Sequence, residues 1–175
     1  KAHDMSNGAL VALEPRTGQV LAMVGSVDYF NKENGGNVNV AIRERQPGSS
    51  IKPITYVTAI EQGMSPATPL WDTPMELWTP NGIYEPENYD ETFRGPVRLR
   101  ESLANSYNIP ALKLLSAIQP RPENEEDTGK HGVELTIETA KKMGITGLNR
   151  DPWDYGLSLT LGGGEVTLYD MTTVY

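Results

Sequence analysis

The sequence predicts an α/β fold, with one N-terminal β-hairpin followed by helices joined by long irregular segments. Three observations carry this. Nearly continuous apolar runs at 8–14 and 19–25 flank Pro15-Arg16-Thr17-Gly18, the pattern of two strands joined by a turn. Apolar residues then recur at helical spacing in several later segments. Seventeen glycines and 13 prolines beside a 38% apolar fraction suit a loop-rich α/β chain and not a helical bundle. At 175 residues the chain has length for one domain with a sizeable core. No internal repeat or domain boundary interrupts it.

In chain order, both hairpin runs are apolar at nearly every position, so both faces are expected to be covered. Residues 27–40 are polar and rich in Gly and Asn, hence loop. A helix is predicted over about 49–62, with the apolar stripe Ile51, Ile54, Val57, Ile60 and Gly63 at its C-terminal cap. The proline-rich stretch 65–94 reads as an ordered but irregular excursion. Residues 99–105 are predicted helical, Ser106-Tyr107-Asn108 a break, and Pro110 the opening of a second helix through Ile118. Residues 119–131 form a variable acidic loop holding Glu123, Glu125, Glu126 and Asp127, without the ligand spacing of a calcium loop. Thr136 is expected to cap a further helix, with Glu138 in its first turn, Lys141 and Lys142 in its last, and Gly144 beyond. The last eight residues, 168–175, read as helix.

Composition excludes several functions. A net charge of −8 disfavours nucleic acid and docking on an anionic membrane. Without cysteine there is no disulfide, thiol chemistry or Cys-zinc site. The only histidines, His3 and His131, stand apart in flanking or loop-like sequence, against a His-centred triad or a His-rich metal site. No metal or cofactor is implied. No apolar run approaches the ~20 residues of a membrane helix, and Lys1-Ala2-His3-Asp4 opens no signal peptide.

One segment carries nucleophile chemistry. In Arg45-Gln46-Pro47-Gly48-Ser49-Ser50-Ile51-Lys52-Pro53, a serine stands three residues ahead of a lysine at a helix start. Positions i and i+3 share a helical face, so Ser49 Oγ and Lys52 Nζ can meet. A serine hydroxyl needs a neighbour to take its proton, and a lysine can do so when burial or nearby positive charge lowers its pKa. By themselves these residues are equally a serine N-cap with a solvated lysine. A second signal is Ser106-Tyr107-Asn108 between two helical pieces. There a hydroxyl can relay a proton and an amide can hold a lysine or a substrate carbonyl.

Together these segments resemble the transpeptidase domain of class A penicillin-binding proteins. Ser49-x-x-Lys52 and Ser106-x-Asn108 match the first two motifs of the serine penicillin-binding and β-lactamase group. Tyr84-Glu85-Pro86-Glu87-Asn88-Tyr89-Asp90 and Phe93-Arg94-Gly95-Pro96-Val97 resemble the family's approach to its second motif. Residues 155–167, with Gly162-Gly163-Gly164-Glu165-Val166-Thr167, resemble the segment before its third. The resemblance covers about 8–118 and 132–175. No Lys-Thr-Gly or Lys-Ser-Gly occurs in the chain. Residues 1–175 are therefore expected to be the N-terminal part of one such domain, ending before that motif: the hairpin of the antiparallel sheet plus the helical subdomain.

What the resemblance implies is a peptidoglycan D,D-transpeptidase of cell-wall synthesis, inhibited by β-lactams. Ser49 would be the nucleophile toward stem peptides ending in D-Ala-D-Ala, and Lys52 the general base. Ser106 would relay the proton to the leaving amine, and Asn108 would position Lys52 and a substrate amide. The partners implied are stem peptides, β-lactams and the C-terminal remainder of the domain; a glycosyltransferase domain in the parent protein is admitted. The setting implied is extracytoplasmic, with a membrane-anchored parent, and this chain alone is expected to acylate poorly. Rival readings are a D,D-carboxypeptidase or β-lactamase, which needs a base for deacylating water that no motif supplies, and a non-catalytic β-lactam sensor. Trp71, Trp78 and Trp153 are read as packing residues, with carbohydrate stacking the alternative. Gly162-Gly163-Gly164 lacks the pattern of a phosphate loop and is read as allowing a close backbone approach near a cleft.

Overall fold

In the computed structural model, which describes residues 6–79, 82–120 and 129–175, the chain builds two units that alternate along the sequence. One comprises Lys1–Pro47, Lys141–Asn149 and Gly164–Tyr175, the other Gly48–Ala140 and Arg150–Gly163. The described elements run β1 (Leu10–Leu13), β2 (Val20–Val24), α1 (Lys52–Glu61), β3 (Pro69–Asp72), β4 (Leu77–Thr79), β5 (Gly82–Tyr84), β6 (Gly95–Arg98), α2 (Leu99–Ala104), α3 (Asn108–Ala117), α4 (Gly132–Lys142), α5 (Pro152–Tyr155) and α6 (Leu168–Val174). The acidic stretch around 121–128 lies outside the described residues.

In the first unit the predicted hairpin forms. Leu10 pairs with Val24 and Val11 with Met23, and the register shifts between Ala12 and Leu13. Gly18 turns the chain at φ 71° and its N–H donates to Glu14 O. Helix α6 packs on β1. Its N-cap is Thr167, whose Oγ1 accepts from Asp170 N. The buried Asp170 carboxylate in turn accepts from Thr146 N and Oγ1 at 2.9 and 2.8 Å. Arg45 and Val166 exchange backbone hydrogen bonds at 2.9 and 3.0 Å. Ala41, Ile145, Leu148, Val166 and Met171 are buried. The expected cover on both hairpin faces is not found: every residue of β2 is exposed, Leu21 by 64%. The cause is topological, since β1 is the strand's only neighbour among the described residues.

In the second unit a 3-10 turn, Gly48–Ile51, leads into α1. The helix ends at Glu61, one residue before the expected end, with Gln62 as its C-cap. Gly63 stands at φ 99° and donates to Ile60 O, while Met64 N donates to Ala59 O, a Schellman motif. The predicted stripe is half right. Ile51 and Ile54 are buried, but Val57 and Ile60 are exposed, and Lys52, Thr55, Tyr56, Thr58 and Ala59 are buried instead. Steps of three residues fall short of a full helical turn by ~60° each, so Ile60 ends on the opposite side from Ile51.

Helix α3, apolar nearly all round, is the centre of this unit. Ile109, Ala111, Leu112, Leu114 and Leu115 are buried, and it contacts α1, α2, β3 and the 3-10 turn Gly156–Leu161. It starts at Asn108, ahead of the expected Pro110, which occupies its first turn. Helix α4 also starts early. Gly132 is its first residue, and Thr136, expected as its cap, lies buried within it. Only glycine fits that start, because a Cβ on Gly132 would stand 1.9 Å from Leu115 O. Glu134 accepts from His131 N at 2.6 Å, half of a capping box. The excursion 65–94 is more regular than expected. It supplies β3, which pairs with β6, and the β4–β5 hairpin. The proposed packing tryptophans do not pack: Trp71, Trp78 and Trp153 are all exposed.

Candidate active site

The end of α2 shapes the site. Its C-cap is Asn105, and Ser106 follows in the left-handed region at φ 55°. Ser106 N donates to Leu103 O and Tyr107 N to Ser102 O, at 3.0 and 3.1 Å. This is a Schellman ending with serine in the place glycine usually takes. Asn108 then begins α3 two residues later.

Both groups converge on Lys52. Its Nζ donates to Ser106 O at 2.6 Å, Ser106 Oγ at 3.2 Å and Asn108 Oδ1 at 2.8 Å. Three acceptors fill the capacity of an ammonium. Asn108 Nδ2 donates to Glu87 O at 2.9 Å, which turns its Oδ1 toward the lysine. Lys52 is 1% exposed, and among the described residues no carboxylate pairs with it. Burial alone lowers its pKa from 10.5 to about 8, because a low-dielectric site disfavours the charged form. One helical turn on, Tyr56 shares a 2.6 Å hydrogen bond with Ser102 Oγ and is raised to about 12, chiefly by burial.

Ser49 sits on the 3-10 turn just before α1 and is exposed. Among the described residues no hydrogen bond joins Ser49 Oγ to Lys52 Nζ. Three of the four sequence-selected residues are thus in direct contact, and Ser49, on the turn just before the same helix, has no hydrogen bond to them among the described residues. A deprotonated Lys52 would keep two N–H groups. Ser106 O and Asn108 Oδ1 can only accept, so they would hold both, and the lone pair would be left for a hydroxyl proton.

Gly48 precedes Ser49 at φ 58°, and Gly162, at φ 95°, lies against it. The reading of the triple glycine as a close-approach device therefore holds at Gly162. Sequence reasoning assigned no role to Asp72, Glu87, Asn88 or Arg94. For Glu87, Asn88 and Arg94 the signal was present in the segments 84–90 and 93–97, which resembled a family without disclosing a chemical task; Asp72 lies outside both. Arg94 lies over the Tyr107 ring, 4.2 Å from its centroid, and pairs with Asp72 and Asp90.

A family model described as the penicillin binding protein transpeptidase domain matches residues 8–170. Penicillin-binding protein 1A of Aquifex aeolicus is 34% identical over 171 residues, spanning 96% of this chain and 20% of that protein. Penicillin-binding protein 1A of Rickettsia bellii is 32% identical, spanning 97% of this chain and 19% of that protein. The chain thus spans about one fifth of the length of these relatives. Among solved structures, penicillin-binding protein 1A from Haemophilus influenzae superposes with a TM-score of 0.74 at 28% identity, over 94% of this chain and 22% of that one. PonA1 from Mycobacterium tuberculosis, in complex with penicillin V, shares the fold with a TM-score of 0.75 at 23% identity, over 95% of this chain and 42% of that one.

Proposed function

The chain belongs to the penicillin-binding protein transpeptidase family, and from that premise we propose that it carries the nucleophile half of a peptidoglycan D,D-transpeptidase site. Ser49 Oγ attacks the carbonyl carbon of the penultimate D-alanine of a stem peptide. Its proton goes to Lys52 Nζ as the Oγ–C bond forms. The tetrahedral intermediate collapses, the C–N bond breaks, and the terminal D-alanine amine leaves with a proton delivered through Ser106 Oγ. An amine of a neighbouring stem peptide then attacks the acyl-enzyme and gives up its proton to Lys52. A cross-link forms and Ser49 regains its hydroxyl. β-Lactams acylate the same oxygen.

The observation that carries this reading is the environment of Lys52: a buried lysine without a carboxylate, lowered to about 8, with its donors aimed at Ser106 and Asn108. A structural lysine at a helix start would be solvated or ion-paired. Asn108, held by Glu87 O, positions the base. The setting is extracytoplasmic, the parent is membrane-anchored, and the rest of the domain comes from the longer parent protein. The isolated 175-residue chain acylates poorly. Among the described residues no helix is long and apolar enough to cross a membrane.

The test is intact mass and peptide mapping after incubation of the natural-length protein with a fluorescent penicillin. One adduct on the peptide containing Ser49, lost in Ser49→Ala, is expected. Undiminished labelling of Ser49→Ala would sink the assignment.

A further inference from the structure

Asn88 is 4% exposed and uses all four of its hydrogen-bonding positions. Its Oδ1 accepts from Asn108 N at 2.8 Å and from Ile109 N at 3.3 Å. Its Nδ2 donates to Asp72 Oδ1 at 2.7 Å and to Thr92 O at 2.8 Å. Asp72 is fully buried, and its other oxygen accepts from Arg94 N at 3.2 Å. A carboxylate oxygen and a backbone carbonyl only accept, so these partners settle which way the Asn88 amide faces.

We infer that Asn88 is a positioning residue for the Lys52 base, acting through Asn108. This rests on the reading of Lys52 given above. Tyr107, at the N-cap of α3, makes no side-chain cap bond. Asn88, twenty positions before Asn108, caps the helix instead and ties its first two N–H groups to a buried carboxylate. The neighbouring residue completes the grip: Glu87 O holds the side chain of Asn108, and the Asn88 side chain holds its backbone. Two adjacent residues thus fix both ends of Asn108, whose Oδ1 reaches Lys52 Nζ. Because a misplacement of about 1 Å costs about 100-fold in rate, an anchor on the Asn108 backbone governs the base.

The experiment is a double-mutant cycle in the natural-length protein, reading the second-order rate of acylation by a fluorescent penicillin across pH 6–9, with melting temperature recorded alongside. Asn88→Ala and Asn108→Ala each slow acylation by about 10- to 100-fold. If Asn88 acts through Asn108, the double variant is no slower than Asn108→Ala. Multiplying effects would overturn the inference, as would a folded Asn88→Ala with the parent's rate and pH profile. Asn88→Asp, which keeps the volume and the acceptor, runs through the same cycle in case Asn88→Ala does not fold. If neither folds while Asn108→Ala does, Asn88 serves folding alone and the inference falls. Lys52→Arg runs beside them: if it acylates normally, the base reading fails, whatever Asn88 does.

Discussion

Gly162 and Gly48 meet backbone to backbone. A Cβ placed on Gly162 would stand 2.4 Å from Gly48 N, 2.5 Å from its Cα and 2.9 Å from its O. None of those atoms can swing aside as a side chain would. The residue after Gly48 is Ser49, so the contact bears directly on where the turn carrying the proposed nucleophile begins.

Gly162→Ala should therefore destabilise the fold by on the order of 3 kcal/mol, from left-handed strain plus the backbone clash. Penicillin labelling should fall further than stability does, because the Gly48–Ile51 turn must shift. Chemical denaturation and labelling at a temperature where the variant is folded separate the two. A variant with the parent's stability would show that the turn yields without cost.

Acylation should follow the titration of Lys52. With its pKa near 8, the neutral fraction rises about tenfold per pH unit below that value and levels above it. The labelling rate should do the same between pH 6 and 9. Stability responds to the same titration, but in the window above about 8. A pKa lowered in the fold means that the unfolded chain binds more protons between about 8 and 10.5. The Lys52 contribution is thus least favourable below about 8 and becomes more favourable as pH rises through that window. Lys52→Met should lack this rise. A labelling rate flat from pH 6 to 8 would count against Lys52 as the base.

Ser106 holds a left-handed conformation at φ 55°, which costs a non-glycine residue about 1–2 kcal/mol. Ser106→Gly should leave stability unchanged or raise it by up to about 1 kcal/mol, while slowing acylation through loss of the hydroxyl proposed as the relay. Ser106→Ala keeps the strain and loses the hydroxyl, so it should be the less stable of the two at similar activity. Thermal melts of the pair decide this. A glycine variant clearly less stable than the alanine variant would refute the strain account.

Strand β2 should make the chain sticky. All five of its residues are exposed and, among the described residues, one of its edges is unpaired, a template for association. The 175-residue chain by itself should self-associate in sedimentation experiments. Leu21→Lys should reduce that association while changing stability by no more than ~0.5 kcal/mol. A chain that sediments as a monomer at high concentration would contradict this.

Features governed by short-range geometry were legible in the sequence. The hairpin with Gly18 at its turn, the helix stop at Gly63, and the helix pieces on either side of Ser106-Tyr107 all followed from local spacing. Each depends on interactions within a few residues, where glycine's freedom and the helical repeat decide the outcome. What required the tertiary structure depends on neighbours distant in the chain. Helix α1 turns Lys52 and Tyr56 inward and leaves Val57 and Ile60 out, because the surroundings of α1 and not its own pattern set the buried face. Helix α4 starts at Gly132 because Leu115 O leaves no room for a side chain there. The partners of Lys52 lie 54 and 56 residues away, and the anchor at Asn88 fills its bonds from Asp72, Thr92, Asn108 and Ile109. Desolvation and hydrogen-bond saturation belong to a site and not to a segment. The sequence alone therefore determined which groups are available, and packing decided which of them meet, which lose their water, and how far the lysine's proton affinity falls.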